Sequence, residues 1–113
     1  MVLTDSKALN LLGLAYKAKK IVNGEENVIY ALKSGKCKIV FVANDASLKT
    51  IDRIDKKCFF YNTLINKDFS TEELSKAIGR PLVKIMALTD QGFFEALSKL
   101  LKWGVFLWKL KKY

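Results

Sequence analysis

The chain has 113 residues, 50% of them apolar and 27% charged, which makes it one domain able to bury its own core without metals or disulfide staples. Twenty Lys and Arg against eleven Asp and Glu give a formal net charge of +9, a field that attracts nucleic acid or an anionic surface. There is no histidine, and the two cysteines, Cys37 and Cys58, form no CxxC pair, so a zinc site lacks its usual ligand sets and neither metal nor cofactor is expected.

The N-terminus, MVLTDSKALN, lacks the basic start and apolar run of a signal peptide, and no stretch reaches the roughly 18 apolar residues of a membrane span. A cytoplasmic protein with free thiols is the expectation, and a membrane partner is not. The charge is uneven: after Glu95 come five lysines and no acid.

In chain order, Ala8, Leu11, Leu12, Ala15 and Ala18 repeat at helical spacing over Asp5 to Lys19, with Thr4 or Asp5 as N-cap. After a short KIV segment, Gly24 precedes Val28, Ile29 and Leu32 and Gly35 follows, which predicts a second helix over 25–34 closed by a glycine. Residues 38–43, KIVFVA, read as a strand buried on both faces. Asp45 or Ser47 then caps a third helix carrying Leu48, Ile51, Ile54, Cys58 and Phe59 until Tyr61 and Asn62 break it.

A brief TLI strand follows. Ser70 and Glu73 form a capping box ahead of Leu74, Ala77 and Ile78, and Gly79 and Pro81 stop that helix. Residues 83–88, VKIMAL, predict a further strand, and Thr89 or Asp90 caps a last helix through Phe93, Ala96, Leu97, Leu100 and Leu101. Alternating helices and strands argue for a single α/β domain, a three-layer α/β/α sandwich around a small mixed sheet.

LLGLAYKAKKIVNGEENVIYALKSGKCKIVFVANDAS, followed by LSKAIGRPLVKIMALTDQGF, resembles the bacterial YlxQ-type branch of the kink-turn RNA-binding ribosomal protein superfamily. The resemblance runs from about Leu11 to Leu101, carried by NGEE, ANDAS and AIG at their separations. It implies an α/β/α sandwich that binds sharply bent RNA, often on or near the ribosome. By position it implies two contact surfaces: Gly24, Glu25, Glu26, Asn27, Tyr30 and Lys33 at the start of the second helix, and Ile78, Gly79, Arg80, Leu82 and Val83 after the fourth.

Physical chemistry makes the first surface reasonable independently. A helix N-terminus offers unpaired N–H groups and partial positive charge to a phosphate, and a glycine lets a backbone come close. Guanine presents acceptors in the major groove, and Asn27 carries an amide donor. The helix dipole stabilises Glu25 and Glu26, which are also able to accept from ribose hydroxyls or amino groups. They read equally well as simple helix-start acids.

Kink-turn readers carry Asn, Glu and, one turn later, Lys on this helix; this chain has Glu26, Asn27 and Tyr30 there. The amide and acid are exchanged, and a tyrosine that donates one hydrogen bond or stacks replaces the cation. On the second surface, Leu82 and Val83 are suited to an unstacked base and Arg80 to a phosphate. Val83 equally reads as the start of a buried strand, and Gly79 as a helix stop.

Lys17, Lys19, Lys20, Lys33, Lys36 and Lys38 bracket the second helix; as backbone-positioning contacts they would add affinity without sequence information, and as a solvated face they would add neither. Lys20 is assigned with Lys33 to the RNA-binding set. The domain is expected to span 1–102, followed by a basic aromatic extension, 103–113, in which Trp103, Leu107 and Leu110 keep helical spacing among lysines.

Two other classes compete with RNA binding. For an enzyme, Asp45 and Asp90 lie past strand ends, but no histidine, GxGxxG, GxxxxGK or nucleophile elbow accompanies them, and helix capping explains both. A protein-interaction module docking on ribosomal or other proteins is the second. It would keep its binding after loss of the Asn27 and Tyr30 side chains.

Overall fold

A computed structural model of the protein describes residues 2–100, and the expected extension at 103–113, with its boundary at 102, lies outside the described residues. The elements are α1 (Val2–Lys17), β1 (Ile21–Asn23), α2 (Glu25–Lys33), β2 (Ile39–Val42), α3 (Leu48–Phe60), β3 (Leu64–Asn66), α4 (Thr71–Ile78), β4 (Ile85–Leu88) and α5 (Gln91–Leu100). The four strands form one mixed sheet in the order β1-β4-β2-β3. β4 pairs antiparallel with both β1 and β2, and β3 lies parallel to β2.

Every residue of β2 and β4 is buried, as the unbroken apolar runs predict for strands covered on both faces. On one side α1 packs against α4 and α5; α2 and α3 pack on each other, α2 over β1 and β4 and α3 over β2 and β3. This is the expected α/β/α sandwich. Phe41 of β2 meets Phe69, just before α4, with ring centroids 6.2 Å apart.

Local chemistry sets most helix ends. The Ser47 side chain accepts from the Thr50 amide at the start of α3, and the Ser70–Glu73 capping box is present in both directions at α4. Asp90, rather than Thr89, caps α5 by accepting from the Phe93 amide at 2.8 Å. At the end of α2, Lys36 N–H donates to the Ala31 carbonyl and Gly35 N–H to that of Leu32, the paired closure expected of a glycine stop.

Two expectations are corrected and one unassigned segment gains an element. α1 begins at Val2, so Thr4 and Asp5 lie inside the helix instead of capping it; neither valine nor leucine breaks a helix. Ile21 and Val22 of the KIV segment, which the sequence leaves unassigned, form the strand β1 with Asn23, too short for an alternation to show. Leu48 and Phe59 are 84% and 88% exposed, because the buried stripe of α3 runs through Ile51, Ile54 and Cys58 and these two fall beside it.

One close approach holds α1 on α4. A Cβ placed on Gly13 would lie 2.6 Å from the backbone carbonyl oxygen of Ala77, so the helices meet where α1 has no side chain. Alanine is the better helix former by about 1 kcal/mol, but a backbone clash of this kind costs about 1 to 3 kcal/mol. Gly13→Ala is therefore expected to lower stability by up to about 2 kcal/mol, or up to roughly 16 °C in Tm, in thermal unfolding; a higher Tm would show that the helices separate freely.

Candidate nucleic-acid interface

The two segments singled out in the sequence meet at one end of the sheet. Asn23, the last residue of β1, registers with Met86 of β4, and Gly24 N–H donates to the Ile85 carbonyl at 3.0 Å. That bond sets the N-terminus of α2 beside the loop joining α4 to β4. The end of β2 arrives there too, because Ala43 N–H donates to the Lys84 carbonyl at 2.8 Å.

Gly24 has φ 99° and ψ 149°, a backbone region essentially confined to glycine, and it makes no side-chain cap. α3, α4 and α5 each have a side chain capping their first turn; α2 leaves its first-turn amides uncapped beside Gly24. Such amides are donors for a phosphate or a base edge. The Asn27 amide donates to the Asn23 carbonyl at 2.9 Å, which holds the carboxamide across this start with its oxygen and second N–H available. Tyr30, one turn on, is 70% exposed.

The two glutamates part company. Glu25 takes a bidentate ion pair from Arg53 of α3, with Nη2 donating to Oε1 at 2.9 Å and Nε to the other oxygen. This hydrogen bonding holds the Glu25 carboxyl below the usual glutamate range, with partial burial opposing and the Arg53 charge adding to it. Glu26 remains exposed to solvent. The first acid thus ties α2 to α3, and the second faces outward.

In the second segment the helix stops at Gly79 with φ 70°, and Ser75 holds both ends of the loop beyond it: its carbonyl accepts from the Arg80 amide at 3.1 Å and its hydroxyl from the Val83 amide at 2.8 Å. Ile78 and Val83 are 5% and 1% exposed, so their side chains belong to the core. Arg80 and Leu82 are the ones presented outward. Leu82 is 79% exposed at φ 53°, a left-handed conformation that costs a non-glycine residue about 1 to 2 kcal/mol.

ANDAS supports this rim from below. Asn44 N–H donates to the Phe69 carbonyl, and Asp45 accepts from the Thr71 hydroxyl at 2.6 Å and the Thr71 amide at 3.0 Å. Those bonds hold the Asp45 carboxyl below the usual aspartate range. Asp45 therefore anchors α4, while Ser47 caps α3. Burial pushes both thiols up, Cys37 and Cys58 each to about 12, which makes them inert structural cysteines.

Lys20 and Lys33 are not brought to this rim. β1 carries Lys20 roughly 13 Å along the sheet from Gly24, and the length of α2 carries Lys33 roughly 12 Å from Glu25. Arg53 and Ser75, by contrast, carry no signal as site residues in the sequence. Arg53 is 28 positions from Glu25, and no local pattern links the two.

Removing the Arg53 guanidinium tests the pairing. In an NMR titration of side-chain carboxyl carbons, Glu25 is expected to protonate below the ordinary glutamate range, and Arg53→Gln to raise its midpoint toward it. Because the folded-state value is depressed, the stabilisation is present above the unfolded-state pKa and is lost as pH falls through the folded one. An unmoved Glu25 midpoint in the variant would mean that the pair does not persist in solution.

Comparison with known proteins agrees with this architecture. The model of the ribosomal protein L7Ae/L30e/S12e/Gadd45 family matches residues 6–98. RNA-binding protein YlxQ of Enterococcus faecium is 40% identical over 96 residues, 85% of this chain and 92% of the relative. Its counterpart of the same name in Bacillus subtilis (strain 168) is 38% identical over 91 residues, 80% of this chain and 91% of the relative.

Among solved structures, a protein of unknown function from Bacillus halodurans superposes with TM-score 0.80 at 31% identity, covering 85% of this chain and 97% of that one. The Giardia lamblia 15.5kD RNA binding protein superposes with TM-score 0.76 at 16% identity, over 91% and 89%, a likeness of fold. The match across residues 6–98 and the two curated relatives make this chain a YlxQ-type member of the ribosomal protein L7Ae/L30e/S12e/Gadd45 family.

Proposed function

We propose that this protein binds RNA with a sharply bent internal loop, of the kink-turn kind, in the cytoplasm and on or near the ribosome, without catalysing a reaction. The carrying observation is the Gly24 N–H to Ile85 carbonyl bond, which joins an uncapped helix start to an outward-facing Arg80 and Leu82. The helix start offers N–H donors and the Asn27 amide to base edges and phosphates. Leu82 offers an apolar surface to a base unstacked at the bend.

Supporting the reading are the family, and relatives that bear the name RNA-binding protein over nearly their whole length. Asp45 and Asp90, the carboxylates at strand ends, are committed to holding Thr71 and capping α5, so they serve structure. Tyr30 stands exposed where a lysine is usual in kink-turn readers and takes over as a hydrogen-bond donor or stacking group.

The test is a titration with a fluorescent kink-turn RNA, a version whose G·A pairs are replaced by Watson–Crick pairs, and a plain duplex, at two salt concentrations. Tight binding confined to the intact kink-turn is expected, and Asn27→Ala should cost about 1 to 3 kcal/mol on that RNA while leaving the weak, salt-dependent binding of the duplex unchanged. Equal losses on all three RNAs would contradict recognition of the bend. Ribosome binding that survives Asn27→Ala and Tyr30→Ala would instead indicate docking on a protein.

A further inference from the structure

The lysines absent from the α2 tip are gathered at the opposite end of the sheet. Ile21 and Ile39 both register with Leu88, which sets the preceding residues, Lys20 and Lys38, on the two strands flanking the end of β4. Lys38 N–H donates to the Leu88 carbonyl at 2.8 Å, and Thr89 N–H to the Lys20 carbonyl at 2.9 Å. Two strand spacings, about 10 Å, separate these lysines. Lys17 and Lys19 reach the same end with the close of α1, and Lys33 and Lys36 with the close of α2.

Five of these side chains are exposed and Lys38 is half-buried. The acid nearest them is Asp90, whose Oδ1 lies 4.0 Å from Lys20 Nζ and whose other oxygen already caps α5. Glu95, further along α5, accepts from Gln91. Helix dipoles account for cations in the last turns, Lys17 and Lys33. They do not account for Lys19, Lys20, Lys36 and Lys38, which stand in the turns beyond.

Aromatic rings flank the same end. Thr63 N–H donates to the Cys58 carbonyl at 2.8 Å and Leu64 registers with Ile39, so α3 closes beside the start of β2. There it exposes Phe59 at 88% and Phe60 at 76%, the latter edge-on to Tyr61 with centroids 4.9 Å apart. Among the described residues, neither phenylalanine is part of the buried core.

We propose that this pole is a second RNA-binding surface, on which single-stranded RNA lays its phosphates along Lys19, Lys36 and Lys38 and stacks bases on Phe59 and Phe60, without regard to sequence. Cations delivered by separate turns suit a chain of phosphates, and every base has a face to stack. A lipid-surface helix would instead carry its lysines and apolar residues along one element. The proposed function contributes only the kind of polymer. The surface is distinct, separated from the α2 tip by the length of the central strands, roughly 13 Å.

The experiment is fluorescence anisotropy with a labelled uridine oligomer of about twelve nucleotides. A Lys19→Ala, Lys36→Ala, Lys38→Ala triple variant is expected to weaken binding at least tenfold and to flatten the slope of log K against log salt by about two, three lost phosphate contacts at ~0.7 each. Phe59→Ala with Phe60→Ala should weaken it about fivefold or more with the slope unchanged. Asn27→Ala should leave uridine binding as in the wild type, and its effect on kink-turn RNA reports on the α2 tip alone. Unchanged Tm confirms folding, and glutamine at the three lysines serves if alanine lowers it. No uridine binding by the wild type, an unaltered triple variant, or binding only to phosphatidylserine vesicles would each overturn the proposal.

Discussion

Antiparallel pairing of β4 with both β1 and β2 gives the molecule its two ends. Because Ile85–Leu88 is bonded along both edges, what lies at Ile85 and what lies at Leu88 is fixed by the same ladder. At Ile85 the ladder delivers the start of α2, the turn after β2 and the loop after α4. At Leu88 it delivers Lys20 and Lys38. A strand buried on both faces cannot slip by one residue without turning its apolar side chains inside out, so the geometry of both surfaces inherits the rigidity of the core.

Around the first end, polar groups mostly hold the scaffold. Arg53 is occupied by Glu25, Lys76 pairs with Glu72 at 3.6 Å, and Lys84 reaches the Thr71 hydroxyl at 3.4 Å. Six of the eleven acids, Glu25, Glu26, Asp45, Asp68, Glu72 and Glu73, lie on α2, on α4 or in the loops that follow β2 and β3. A chain of net charge +9 thus presents the tip proposed to read RNA with little excess cation. What the tip offers is placed donors: uncapped amides, the oriented Asn27 carboxamide, and Arg80 and Leu82 on a loop tied at both ends by Ser75.

Much of this is legible in the sequence wherever the signal is local. IVFV and IMAL are apolar at every position, which only a strand covered on both faces tolerates; Ser70–Glu73, Gly35 and Gly79 mark helix ends through backbone chemistry that needs no tertiary context. β1 is not legible, because three residues cannot display an alternation and its partner is more than sixty positions away. The Glu25–Arg53 pair and the Ser75 clasp escape for the same reason, since both are products of packing. Grouping Lys20 with Gly24 rests on proximity along the chain, and grouping Lys33 with it on the resemblance, yet a strand and a helix each carry a neighbour more than about 10 Å away. The expected base contacts of Ile78 and Val83 meet the opposite limit: a β-branched residue beside a loop reads alike whether it faces solvent or, as here, the core.

In the proposed function, placing Lys20 and Lys33 away from the tip has a consequence for discrimination. Phosphate contacts raise affinity for every RNA equally, so lysines placed at the reading surface would lift bent and straight RNAs together and leave their ratio unchanged. Because competing sites vastly outnumber the correct one, the ratio matters more than the affinity. In the proposed function, a tip made of amides, one carboxamide, one arginine and an exposed leucine would gain most from an RNA whose bases and backbone are already bent to fit, and the outward Glu26 would repel a phosphate that arrives out of register. On these two proposals, the carboxylates that look misplaced on so basic a chain would let its charge attract RNA at one end without blurring what is read at the other.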